Sequence, residues 1–162
     1  MRKFGLVFVV ALLAVAVSVG AAAASQSRTS FQTLLGPEGT VVSEAHGNAV
    51  VVMTDDNSQL SYKLVVNGLE DTLQSHIHVA PAPGENGPVV LFLYPDGPPA
   101  QLIPGIFNGL LGSRTVTSAE IRPNTVGISN LTDLRQAIEE GRAYVNVHSV
   151  ENPGGEIRGT LH

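Results

Sequence analysis

The sequence predicts an all-β domain, an antiparallel Greek-key-like sandwich or barrel of about eight strands with one short helix. Three observations carry this. Apolar and polar residues alternate in short runs, the spacing of half-buried strands. Those runs are punctuated by turn formers, in a chain holding 17 Gly and 10 Pro among 162 residues. Only one segment shows apolar residues at three- and four-residue spacing. A hydrophobic fraction of 43% against 14% charged residues describes a compact chain, since disorder needs fewer apolar and more charged residues.

The first 24 residues stand apart. Arg2 and Lys3 precede an uncharged run with the apolar centre LVFVVALLAVAV and the small-residue end GAAAAS. This is the three-part layout of a secretory signal peptide cleaved after Ala24. An uncleaved membrane anchor is the competing reading, because the run is long enough to span a bilayer if its Ala-rich end is counted. Cleavage leaves a short linker, 25–29, and one domain, 30–162, with no membrane span and a secreted, extracellular or periplasmic address. With no Cys, the fold needs no disulfide and the leader's end offers no site for a lipid. The formal charge of −5 becomes more negative once Arg2 and Lys3 are lost, which argues against a nucleic-acid partner.

The strand-like runs are 30–35, 48–54, 59–66, 74–79, 89–94, 114–118, 143–148 and 156–161. Asp55-Asp56-Asn57-Ser58 makes the second and third a hairpin, because all four residues tolerate turn conformations. The spacing of Leu131, Leu134 and Ile138 predicts a helix over 131–140, capped by Asn130 and ended by Gly141. It lays one apolar stripe on the sheet, with Arg135 on its outer side, where Arg135→Ala should barely matter. The stretch 95–113 reads as a long irregular connection, either a functional or mobile loop or, the favoured reading, one whose aliphatic residues plug one end of the fold.

Chemistry concentrates in two runs. In Gln74-Ser75-His76-Ile77-His78-Val79 the strand period puts His76 and His78 on one face, roughly 7 Å apart at the backbone. In Tyr144-Val145-Asn146-Val147-His148 the valines fit a core face, while Tyr144, Asn146 and His148 share the opposite one. If these strands are neighbours, His76, His78 and His148 offer an open three-ligand site for copper or zinc on the outside of the shell. The alternative is that the histidines simply hydrogen-bond loop backbone. Glu156 and Arg158 share a face of the last strand, where they either orient His148 or satisfy each other across the sheet. His46 and the terminal His162 read as solvated. No nucleophile motif and no assembled triad are present, which disfavours a hydrolase and an enzyme generally.

The segments HIHVAPAPGENGPVVLFL (76–93) and GRAYVNVHSVENPGGEIRGTL (141–161) resemble the two signature blocks of the CHRD domain, the family that takes its name from chordin. The likeness runs from Ser30-Phe31 through Leu60-Ser61-Tyr62-Lys63-Leu64 and Asn67-Gly68-Leu69 to Arg158-Gly159. The family's opening, a Leu-x-Gly followed by an acidic residue and prolines, is partly matched by Leu35-Gly36-Pro37-Glu38-Gly39. This resemblance implies an all-β extracellular module, single in secreted microbial proteins, that binds a protein or cell-surface polymer without catalysis. The order of an Asn-Gly-Leu strand, an HxH strand and a Val-x-Val-His strand is also similar, in fragments, to copper/zinc superoxide dismutase. That second likeness implies redox chemistry at a histidine-held metal, but its disulfide cysteines and zinc loop are lacking here.

Overall fold

The computed structural model describes residues 27–162, so the leader and the first two residues of the linker lie outside the described residues. Seven strands run β1 (Arg28–Pro37), β2 (His46–Thr54), β3 (Leu60–Val79), β4 (Val89–Tyr94), β5 (Ile103–Val116), β6 (Ala143–Ser149) and β7 (Ile157–Thr160), with the helix α1 (Leu131–Glu139) before β6. All pairings are antiparallel. Neighbours follow the order β2-β1-β7-β6-β3-β4, and a further β2–β3 pairing closes the ring, with β5 attached to β3. The all-β expectation therefore holds, as a closed, barrel-like sheet with flanking strands.

Ring closure depends on β3. Its first half, from Leu60 to Asn67, pairs with β2, and its second half, from Thr72 to Val79, pairs with β6. The runs 59–66 and 74–79 are therefore not separate strands. Instead Gly68 (φ +73°) and Asp71 (φ +46°) take left-handed backbone within an irregular stretch that bends one strand from one set of neighbours to the next.

Segment 95–113 also departs from expectation. Ile103 already opens β5, which pairs along β3 from Thr72 back to Leu60, so only 95–102 is irregular. Its aliphatic residues do not form a plug: Leu111 is buried, Ile103 and Phe107 pack partly on the core, and Ile106 and Leu110 face solvent. Pro104 and the glycines at 105, 109 and 112 hide the alternation that would have marked this strand.

The core inside the ring includes Met53, Leu60, Leu64, Ile77, Val145, Val147 and Ile157, all completely or almost completely buried. Leu131, Leu134 and Ile138 of α1 join it, and Asn130 caps the helix by accepting the Asp133 amide at 3.0 Å. Arg135 is not on an outer face. It donates to Asn57 Oδ1 at 3.0 Å and to Thr29, and it pairs with Glu139 at 3.2 Å, clasping the helix to β1 and to the β2–β3 turn. No described helix is long and apolar enough to cross a membrane.

Candidate metal centre

Strands β3 and β6 lie side by side with His76 opposite Asn146 and His78 opposite Tyr144. Because Ile77, Val145 and Val147 turn into the core, the alternating positions place His76, His78, Tyr144, Asn146 and His148 together on the ring's outer surface. The three histidines meet as the spacing predicts. Each offers a ring nitrogen, and these three atoms lie within 4.8 Å of one another.

The expectation that they would stand on an open outer face needs correction, since His76 and His148 are buried and His78 is only partly exposed. Loops cover them. His78 Nδ1 donates to the Gly87 carbonyl at 2.9 Å, and His148 Nδ1 donates to the Pro153 carbonyl at 3.0 Å. The Phe92 ring meets His76 edge-on at 4.6 Å, and Tyr144 stacks on His78 with centroids 5.0 Å apart. The Arg158 guanidinium lies 3.4 Å from the centre of the Tyr144 ring, a cation–π contact that completes a stack of three planar groups.

Burial is the main force on the imidazoles' protonation. It pushes His76 down to about 3, with the neighbouring His148 and His78 adding to the effect. His78 and His148 are lowered by the same cause, opposed by their carbonyl partners and by the Glu38 carboxylate. At neutral pH all three rings are uncharged, the state a metal requires.

Carbonyl partners also fix the tautomers. Since Nδ1 carries the proton in His78 and His148, each Nε2 holds a bare lone pair. His76 Nδ1, 3.1 Å from His148 Nε2, is then the donor of that pair. His76 Nε2 and His78 Nε2 are buried without a partner. Nitrogens on a tetrahedral ion with bonds of 2.0–2.1 Å stand about 3.3 Å apart, so one pair already has coordination spacing. Three clustered imidazoles, two of which keep a buried ring nitrogen without a partner, fit a cation of the imidazole-binding class.

Of the other expected residues, Tyr144, Asn146 and Arg158 line this centre and Glu156 does not. Arg158 bonds Glu38 at 3.1 Å, Asn86 at 2.6 Å and the Glu85 carbonyl at 2.7 Å, tying the β3–β4 loop to β7. Glu156 instead accepts from Ser43 at 2.6 Å, from Ser149 and from Asn152. The two therefore satisfy different loops rather than each other. His46 and His162 are exposed, as read.

Glu38 is the residue that sequence reasoning missed. One carboxylate oxygen bonds Arg158 and the other accepts from Asn146 Nδ2. Gly155 makes room for this pair, because a Cβ there would fall 2.2 Å from Glu38 Oε2 and 2.4 Å from Asn146 Nδ2. The acidic position in Leu35-Gly36-Pro37-Glu38-Gly39 was its only signal.

Comparison with known proteins agrees with the resemblance carried by the two histidine-bearing blocks. The family model of the CHRD domain matches residues 30–161. No curated protein and no solved structure matches the chain. With its matched region spanning all but the first two residues of the described barrel, the chain belongs to the CHRD domain family, a family of binding modules.

Proposed function

We propose that this module is exported by its N-terminal leader and binds a late first-row metal ion, copper or zinc, through His76, His78 and His148. The observation that carries this reading is the meeting of three neutral, buried imidazoles, with two Nε2 atoms left without partners. A purely structural role for the histidines would be expected to satisfy both nitrogens of each ring, because an unpaired buried polar atom costs about 1–3 kcal/mol. Three nitrogen ligands leave a position for water or a small ligand on the ion. The carbonyls of Gly87 and Pro153 hold two of the rings in the tautomer that directs Nε2 to the metal.

Titration calorimetry with Zn²⁺ and Cu²⁺, together with elemental analysis of the purified protein, tests this. The wild type should bind one ion per chain, and His78→Ala should weaken binding by at least tenfold while keeping its circular dichroism. A wild type that carries no metal and ignores both added ions would overturn the reading.

A second reading, an extracellular protein or cell-surface polymer as ligand, is favoured by Ile106 and Leu110, both exposed on β5. That strand pairs only with β3 among the described residues and leaves one edge open. Retention of a macromolecule from the native medium that Ile106→Lys abolishes would support it. Equal retention by the variant would count against that strand as the contact.

A further inference from the structure

Resting on the metal-binding reading, the starting point is an asymmetry among the three histidines. His78 and His148 each donate Nδ1–H to a backbone carbonyl, which leaves Nε2 for an ion. His76 has no such carbonyl. Its Nδ1–H is donated to His148 Nε2, so one proton blocks two ligand atoms that already stand 3.1 Å apart. An ion cannot use the His148 lone pair while this hydrogen bond persists.

Directly across the β3–β6 pairing from His76 lies Asn146, on the same face. Positions paired in this way have Cβ atoms about 5 Å apart, within side-chain reach. Asn146 is 2% exposed, and its Oδ1 is a buried acceptor with no partner. His76 Nε2 is likewise buried and without a partner. The amide cannot turn freely to resolve this, because Nδ2 is committed to Glu38 and Glu38 is held in turn by Arg158. The chain thus holds a fixed, empty acceptor beside the one imidazole that lacks an outer partner.

We infer that Asn146 is the positioning residue for His76, and that metal binding switches His76 from its Nδ1–H to its Nε2–H tautomer. In this exchange the Nδ1 proton leaves to solvent, a proton joins Nε2, and the ring stays neutral. His76 Nε2–H then donates to Asn146 Oδ1, while His76 Nδ1 and His148 Nε2 face the ion together with His78 Nε2. All three ligands acquire the same design, a ring nitrogen on the metal and the other N–H on an oxygen acceptor. Glu38 and Arg158 serve by holding the amide through its Nδ2, which leaves Oδ1 free to accept.

The test is ¹⁵N NMR of the histidine ring nitrogens in wild-type protein before and after one equivalent of Zn²⁺, with Zn²⁺ affinities of wild type and Asn146→Ala from calorimetry. His76 should show Nδ1–H without metal and Nε2–H with it, while His78 and His148 keep Nδ1–H throughout. Asn146→Ala should lose roughly 10–100-fold in affinity, the usual cost of removing an outer-shell partner. If wild type binds Zn²⁺ and His76 keeps Nδ1–H, the switch is overturned and metal binding stands. If His76 switches but Asn146→Ala binds as tightly as wild type, the role of Asn146 is overturned. If wild type binds no Zn²⁺, both this inference and the reading beneath it fall. The wild-type spectra need no variant to fold, so the switch is decided in every case.

Discussion

Three imidazoles under a cover of loops couple the fold to pH. Burial lowers the folded-state pKa of His76 from 6.5 to about 3, and His78 and His148 move the same way. The groups facing them are each other, Glu38 and Arg158. Between those limits the unfolded chain binds protons that the folded chain refuses, so stability rises with pH across the window. It is fully present above about 6.5 and declines as pH falls toward 3, by on the order of 5 kcal/mol for His76 alone. Ordinary carboxylates stay largely ionised down to about pH 5, so the upper part of the window reports mainly the imidazoles. Melting of metal-free protein should therefore drop steadily from pH 6.5 to 5, and His76→Gln should flatten that slope. A wild-type melting temperature unchanged over this interval would show that the rings are not held neutral by burial.

At the scale of elements, the face assignment of β6 carries most weight. Val147 is completely buried inside the ring, one position from His148. Val147→Asp places an unpaired carboxylate in that core and should cost at least about 3 kcal/mol, measured by urea unfolding. Arg135→Ala should cost about 1–2 kcal/mol, because it removes the clasp from α1 to Thr29, Asn57 and Asp55. Stability unchanged within error would mean that solvent replaces those bonds. These two residues show what was legible. Period-two alternation placed Val147 and the three histidines correctly, because strand geometry alone sets their faces. The setting of Arg135 depended on how the helix lies across the β2–β3 turn, which no local pattern encodes. Glu38 was hidden for the same reason, since it reaches Asn146 from 108 positions away. The full length of β3 and β5 is not legible locally, because Gly68 and the Pro104-Gly105 pair are residue types that weaken or end strands and here lie within them.

For the whole molecule, the histidine centre joins parts of the barrel that local structure alone does not hold. Its ligands come from β3 and β6, while its outer groups come from the segment after β1, the β3–β4 loop, the turn before β7 and β7 itself. An ion bound only by the folded state therefore stabilises the entire closed ring, not one hairpin. At a free concentration 100 times the dissociation constant, that stabilisation is about 2.7 kcal/mol. For a domain of this size it raises the melting temperature by roughly 10 °C. Saturating Zn²⁺ should produce such a shift in wild type at pH 7.5, with one cooperative transition before and after. The shift should vanish when His76, His78 and His148 are all replaced by Ala, although that variant still melts cooperatively because its aliphatic core is intact. A comparable Zn²⁺ shift in the triple variant would place the ion elsewhere, for instance at the exposed His46 and His162. A shift confined to part of a two-step transition would show that the centre closes only its own loops and leaves the barrel's stability untouched.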